Sequence, residues 1–412
     1  MNRFEEFTTR IVQQMGKKEG AISPVIVNSA SFGYGSSESG EGIFEGSVKK
    51  PLYARVGNPT SAQLEQILAQ IDGGIGAVAA SSGMGAIAMA TLSLLKTGDE
   101  IISIGGLFGG TYSYFSETLT RFGITTHFFD VDEFDAIEEA INTATKILFL
   151  ESVGNPNMRL PDIAKIAAIA KTHGVVLMVD NTITPLSVAP IALGADIVVY
   201  STTKIITGNA SALGGAVIFR AINEGDDKLK GDRYRDIHPF INKMGSMALI
   251  ANAKKRALRD FGMSANGFGS YLTMLGLETL PLRMDRIVST VEAVASGLSQ
   301  RGLCVNHPSL AHHPHHERYI SQFSNGCGTI LTIDLGSKER AFEFLNRSKL
   351  ITITANIGDN RTLGLHMGST IYRDFDDQTK EFLGITPGLV RISIGLESAE
   401  AIIDDFANAA NI

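Results

Sequence analysis

Lysine 204 follows an apolar run, DIVVY, and three hydroxyl residues, Ser201, Thr202 and Thr203, and it precedes a glycine-rich stretch, TGNASALGG. A solvated lysine needs none of this company, whereas an amine poised to form a covalent bond does. Upstream, VVLMVDNT carries a second apolar run that ends on Asp180. Continuous apolar, β-branched runs of this kind are strands of a sheet covered on both faces. Open α/β sheets bind ligands outside the carboxyl ends of their strands. If the two runs are neighbouring strands, Asp180 and Lys204 project into one crevice. An ion pair between them is the competing explanation of these two residues taken alone.

A third segment weighs against that explanation. SSGMGAI follows the strand-like AVAA and opens a helical pattern, so the free amides at Gly83 and Met84 sit at a helix N-terminus, an anion site. Ser201 and Thr203 supply hydroxyls from the other side. A phosphate cup, a carboxylate and an amine are the three things pyridoxal phosphate needs. They anchor its phosphate, keep its ring nitrogen protonated and form its Schiff base. A lysine released from that bond then serves as a base. GMGAIA also matches a dinucleotide fingerprint, but the next strand, EIISIGG, lacks the acidic residue that would hold a ribose.

The elements that must position these groups are legible as an alternation. AVAA, EIISI, THFFDV, KILFL, VVLMVD, DIVVY and AVIF alternate with helical patterns such as DIAKIAAIAKTHG, which Gly174 closes. Seven strands between about residues 76 and 219 predict an α/β domain with a mostly parallel sheet and helices on both faces, assigned to residues 58–256. Residues 1–57 are Gly/Ser-rich and without regular period, a disordered tail or an arm lying on another subunit. Residues 257–412 read helix-first, then as two strands, GTILTIDL and LVRISIGL, a smaller C-terminal α+β domain.

Composition limits the rest. The 412 residues suffice for a sizeable core, and a net charge of −7 leaves no footprint for nucleic acid or an anionic membrane. The N-terminus is charged and unlike a signal peptide, and no run approaches a membrane span, so a cytoplasmic protein is expected. Cys304 and Cys327 are expected to be reduced, buried small residues. His312, His313, His315 and His316 in AHHPHHE raise the question of zinc. Pro314 breaks their spacing and no further ligand pattern completes a set, so a solvated loop is expected and no metal. EGDDKLKGDRYRD reads as a mixed-charge surface segment.

Several spaced motifs agree in order with one family. LFLESVGNPNMRLPDIAKIAAIAKTHGVVLMVDNT, GADIVVYSTTK, YARVGNPT, SSGMGAI, LGLETLPLRM and GLVRISIGLE resemble the Cys/Met-metabolism family of fold-type-I pyridoxal-phosphate enzymes, from about residue 50 to the end. The resemblance implies that Lys204 is the Schiff-base lysine and Asp180 the partner of the pyridine nitrogen. It implies that Gly83, Met84, Ser201 and Thr203 form the phosphate cup, and that Asn155 lies near the ring's phenolic oxygen. Arg391, helped by Ser369, would clamp a substrate carboxylate. Tyr53 and Arg55 would reach the phosphate and substrate of a neighbouring subunit, which implies at least a dimer and in this family a tetramer. Relatives carry LYGGT where this chain has LFGGT, so Phe108 can stack on the ring but cannot carry a proton. Relatives also often carry a histidine shortly after the serine in what is here STIYRD.

Within the family the resemblance favours the sulfhydrylase branch. The insertion between AVIFRA and ALRDFG is long, ANIGDNRTL resembles that branch's NLGD motif, and Gly110 stands where methionine γ-lyases place a cysteine. The implied reaction is replacement of the acetate of O-acetylhomoserine by sulfide or another small sulfur donor, giving homocysteine for methionine biosynthesis. Methionine γ-lyase and cystathionine γ-synthase are the alternatives within the family. A catalytically silent, cofactor-binding regulatory or partner protein is the alternative outside it. Intact Lys204, Asp180 and Arg391 count against the silent protein and Phe108 for it.

Overall fold

The computed structural model describes residues 3–14, 20–223 and 225–412, and the side chains of residues 3 and 4 are not among those described. Seven strands, β1 (Gly76–Ala80), β2 (Glu100–Ile104), β3 (Thr125–Phe129), β4 (Thr145–Glu151), β5 (Val176–Asp180), β6 (Ile197–Tyr200) and β7 (Gly215–Phe219), form one sheet in the order β1-β7-β6-β5-β4-β2-β3. The neighbours from β3 to β6 are parallel, and β7 runs antiparallel to both β1 and β6. The expected mostly parallel sheet is therefore present.

Its strands are apolar throughout because both faces are covered. Along β4, Leu148 and Leu150 join one core while Ile147 and Phe149 join the core on the opposite face. Val198 and Tyr200 divide from Ile197 and Val199 in the same way along β6. A period of two with both parities apolar is what two layers of helices demand. The helix Gly83–Leu94 follows β1 and is capped by Ser82, whose hydroxyl accepts from the Gly85 amide at 3.0 Å.

The C-terminal region holds a second sheet of five strands, β8 (Cys304–Asn306), β9 (Ile330–Asp334), β10 (Thr352–Ile353), β11 (Leu363–His366) and β12 (Leu389–Ser393), in the order β10-β11-β12-β9-β8. GTILTIDL and LVRISIGL supply the two long inner strands. The other three are two to four residues long, too short to carry an alternation. Val390 and Ile392 pack into this region's own core with Leu331 and Ile333, so the pleat turns Arg391 to the other face of a central strand. The long helix Leu280–Gln300 joins the two regions. Its start, Leu280 to Val288, packs on the large-sheet core, and Ile287 to Leu298 pack on the second core.

Four expectations differ from the structure. The N-terminal segment contains helices at Arg3–Gln14 and Ser37–Glu45. The first buries Phe7 and Ile11, one helical turn apart, against the main core. The second contains Gly40 and Gly42, poor helix formers, because Gly42 leaves room for Val48, which a Cβ would meet at 2.7 Å. Residues 1–2 and 15–19 of the expected arm lie outside the described residues. Cys304 is exposed at the start of β8, whereas Cys327 is buried as expected, and both are free thiols. The histidine run is not a solvated loop: His313 and His315 are buried, and His315 accepts from the Leu160 amide at 2.9 Å and contacts Asp132 at 3.0 Å. The mixed-charge run is anchored rather than superficial. Tyr234 is buried and its hydroxyl accepts from the Val176 amide at 2.7 Å, and Lys228 pairs with buried Asp196 at 2.8 Å.

One close approach ties the sheet to the ligand-facing helix. Gly215 begins β7 opposite Ala80, and a Cβ there would lie 2.1 Å from the Ser82 carbonyl oxygen and 2.9 Å from the Gly83 amide nitrogen. Gly215→Ala is expected to cost about 1–3 kcal/mol, the range for forcing atoms into a packed interior. Urea denaturation should record a lower midpoint at unchanged slope. An unchanged midpoint would mean that the β1–β7 contact is looser than described.

Candidate active site

The carboxyl ends of three adjacent parallel strands converge on one cavity. Register pairs Glu151 on β4 with Asp180 on β5, and Asp180 with Val199 on β6. The chain leaves β6 in a turn that presents Lys204. That turn is fixed from several sides. The Ser201 amide donates to Thr182 Oγ1 at 2.8 Å, and Thr207 Oγ1 donates to the Thr202 carbonyl at 2.7 Å. Buried Arg283 donates to the carbonyls of Ile205 at 2.7 Å and Ile206 at 3.0 Å.

Lys204 Nζ donates to Asn356 Oδ1 at 2.7 Å, and Asp180 Oδ1 accepts from the Thr182 amide at 3.0 Å. The two charged groups share a cavity without forming an ion pair, so the competing explanation of them as a structural pair does not hold. Burial, and secondarily the charge of Arg391, lowers the Lys204 amine from 10.5 to about 8. Burial raises Asp180 from 3.8 to about 6 against the pull of its Thr182 hydrogen bonds. Burial and the neighbouring Asp180 carboxylate hold Glu151 well above the usual carboxylate range.

Arg391 crosses from the second sheet into the same cavity and is 2% exposed. Its partners are neutral oxygens only: Asn155 Oδ1 at 3.1 Å, the Ala355 carbonyl at 3.1 Å and the Asn356 carbonyl at 3.4 Å. A buried guanidinium without an anion is costly, and burial lowers it to about 10. Its planar fork suits a carboxylate brought by a ligand.

The cavity gathers most residues singled out from sequence. Gly83, Met84, Ser201 and Thr203 line its anion end, and Asp180, Lys204, Asn155, Phe108 and Arg391 its remaining walls. The Thr203 hydroxyl is already engaged by Gly214, donating to its carbonyl at 3.1 Å and accepting from its amide at 2.9 Å. Three residues are not brought to this cavity. Ser369 lies in a separate surface cleft with Arg373 and Lys380, its hydroxyl 2.8 Å from His366 Nδ1. Tyr53 and Arg55 lie in the exposed N-terminal segment, where the Arg55 guanidinium donates to the Arg259 carbonyl. Sequence reasoning missed Asn356, Thr182 and Glu151. Glu151 was within reach of the rule that found Asp180, since it also ends an apolar strand.

The residues present fit pyridoxal phosphate. Ser82 caps Gly85, leaving the amides of Gly83 and Met84 for a phosphate. A Cβ on Gly83 would sit 2.6 Å from Ser201 Cβ, so glycine is what lets the two sides of the cup close. Bound there, the cofactor would rest on this cup, with Asp180 for its ring nitrogen and Lys204 for its aldehyde. Among the described residues no three His, Cys, Asp or Glu side chains gather as a metal site. No helix among them is long and apolar enough to cross a membrane.

Comparison with known proteins agrees with this chemistry. Residues 8–411 match the family described as Cys/Met metabolism PLP-dependent enzyme. The chain is 36% identical to homocysteine synthase of Schizosaccharomyces pombe, with 88% of this chain and 87% of that protein covered. It is 35% identical to O-acetyl-L-homoserine sulfhydrylase 1 of Thermus thermophilus, over 91% of this chain and 92% of that one. The crystal structure of a candidate O-acetylhomoserine (thiol)-lyase from Campylobacter jejuni, which carries N'-pyridoxyl-lysine-5'-monophosphate, superposes with a TM-score of 0.94. That pair is 31% identical, and 98% of this chain and 100% of that one are covered.

The raised Asp180 has a consequence for the cofactor-free protein. Between 3.8 and about 6 the folded chain holds a proton that the unfolded chain has released. Stability therefore falls as pH rises through that window, and Glu151, shifted the same way, adds to the slope. Thermal melting of cofactor-free Asp180→Asn is expected to depend less steeply on pH between about 4 and 6 than that of the parent. Identical pH profiles would mean that Asp180 titrates normally.

Proposed function

As the chain belongs to the Cys/Met metabolism family of PLP-dependent enzymes, we propose that it catalyses γ-replacement on O-acetylhomoserine. Sulfide or a related small sulfur donor displaces acetate and yields homocysteine. The observation that carries this reading is buried Arg391, held only by neutral oxygens, in one cavity with Lys204 and Asp180. That set suits an α-amino acid whose carboxylate is fixed while protons move at the neighbouring carbons.

Bound pyridoxal phosphate supplies an aldehyde for the substrate's amino group and a cationic ring that withdraws electrons from the adjacent carbon. Arg391 grips the α-carboxylate in a bidentate fork, and Asn155 keeps the fork from turning by accepting from its Nη1. Lys204, lowered to about 8, is free of its proton often enough near neutral pH to take one from the substrate and return it. Asn356 Oδ1 holds that amine in place between transfers. Asp180 stands as the anionic partner of the ring nitrogen. Phe108, lacking a hydroxyl, contributes a face for stacking and no proton. Apolar Val153, Ile183 and Ile357 on the walls limit water, which would divert replacement toward elimination.

The same reading assigns Tyr53 and Arg55 to the phosphate of a neighbouring subunit. It therefore takes a homodimer as the least assembly, with a tetramer as the fuller one, working in the cytoplasm. The part of the expected 1–57 arm that reaches over is then the segment around Tyr53 and Arg55, since Phe7 and Ile11 pack on this chain's own core, with residues 58–256 the cofactor domain and residues 257–412 the C-terminal domain.

The test is a steady-state comparison of O-acetylhomoserine plus sulfide against methionine alone, scored for homocysteine and for 2-oxobutyrate. Homocysteine from the first mixture is expected. 2-Oxobutyrate from methionine with nothing from the first mixture would replace this reading by a lyase. Lys204→Ala is expected to lose at least about 10²–10⁴-fold in turnover, the span for a positioned acid–base group. Near-normal activity in that variant would overturn the catalytic assignment.

A further inference from the structure

We propose that Tyr372 and Glu151 position Phe108 against the bound cofactor by holding the two ends of one peptide group, the bond between Leu107 and Phe108. The inference rests on Phe108 being the residue that faces the cofactor ring. The Phe108 amide donates to Glu151 Oε1 at 2.7 Å, and the Tyr372 hydroxyl donates to the Leu107 carbonyl at 3.1 Å. These are the N–H and the C=O of a single planar unit. With both fixed, that plane cannot rotate, and it sets the position of the Phe108 Cα and the N–Cα axis from which its side chain departs.

The same two side chains reach the opposite wall. The single proton of the Tyr372 hydroxyl is shared with the Asn155 carbonyl at 2.9 Å, and the Asn155 amide, like that of Phe108, is turned to the Glu151 carboxylate. Asn155 in turn holds Arg391. One buried acid and one buried phenol thus brace the aromatic wall against the wall that orients the carboxylate clamp. Tyr372 is 0% exposed and Glu151 6%. A polar group buried so deeply is retained when its bonds specify a position. The bracing also answers a need of this chain. A phenylalanine has no polar handle by which the cavity can orient it, so its backbone must do so.

Tyr372→Phe removes the hydroxyl and leaves the ring among Leu365, Met367, Leu383 and Leu389. In the holoenzyme it is expected to weaken cofactor binding about three- to tenfold, as loss of one hydrogen bond does. It should also reduce the visible circular dichroism of the cofactor and lower kcat by a similar factor, with a smaller rise in KM for the amino acid through the loosened Asn155. Glu151→Met, which removes the acceptor at the other end while filling its volume, should alter the dichroism likewise. The double variant should lose little more than the worse single one, because either bond alone leaves the same peptide free. Melting of the cofactor-free proteins controls for folding. Parental dichroism and cofactor affinity in both variants of a coloured protein would overturn this inference alone, as would fully independent losses in the double variant. A parent that binds no cofactor at a lysine would overturn it together with the functional reading.

Discussion

Three charged groups, Asp180, Lys204 and Arg391, surround one cavity, and none is paired with another. Desolvation sets against each of them: it raises the acid and lowers the two bases. A fold selected for stability alone would bring the carboxylate to one of the cations or replace all three with apolar groups. Here each is instead satisfied by neutral oxygens or by a backbone amide. A ligand with a cationic ring, a reactive carbonyl and a carboxylate is complementary to all three at once. The desolvation of these three groups is the counterpart of the cavity's complementarity to such a ligand.

Keeping like and unlike charges near each other without contact requires rigid spacing. Parallel register provides the first part, setting Glu151 and Asp180 side by side at strand ends. Close backbone approach provides the second. Gly358, at φ +70°, brings the loop of Asn356 so near Ile205 that a Cβ would lie 2.6 Å from the Ile205 amide nitrogen. The Asn360 amide then donates to the Gly208 carbonyl at 2.8 Å. The loop that presents Lys204 and the loop that holds its amine are thereby one unit, although 152 positions separate them. Arg283 reinforces the first of them by donating to the carbonyls of Ile205 and Ile206 and, from the same guanidinium, to that of Gly276 in the helix Gly267–Glu278. Its role is structural where that of Arg391 is open, and the difference lies in placement: Arg391 lines the cavity, whereas Arg283 does not.

The legible parts of the sequence were those that obey a local rule. Unbroken apolar strands gave the seven-stranded sheet, and residues at strand ends gave Asp180 and Lys204. The helix Ser37–Glu45 was not legible, because its glycines oppose helix formation, and the Ser36 cap, buried Ile43 and the contact of Gly42 with Val48 offset that preference. The buried contacts of His315 are with Asp132 and Leu160, more than 150 residues away, and leave no local trace. Ser369 was assigned by motif, but its hydroxyl turns to His366, three residues before it. Asn356 lay inside a motif read only for its branch of the family, and its contact with Lys204 spans 152 positions. Glu151 is different in kind. It satisfies the strand-end rule as Asp180 does, at the end of the apolar strand β4.

The coupling between the clamp and the base follows from the same unpaired charges. Lys204 is lowered by two causes, burial and the positive charge of Arg391. A carboxylate seated in the Arg391 fork neutralises the second while leaving the first. The amine then holds a proton more firmly with a substrate carboxylate bound than without it. On the proposed mechanism, Lys204 would be readiest to lose its proton before a carboxylate reaches Arg391, and readier to retain one taken from carbon afterwards. A substrate without the carboxylate would lose both its anchor and this adjustment. Selection for α-amino acids therefore resides in the chemistry as well as in the fit.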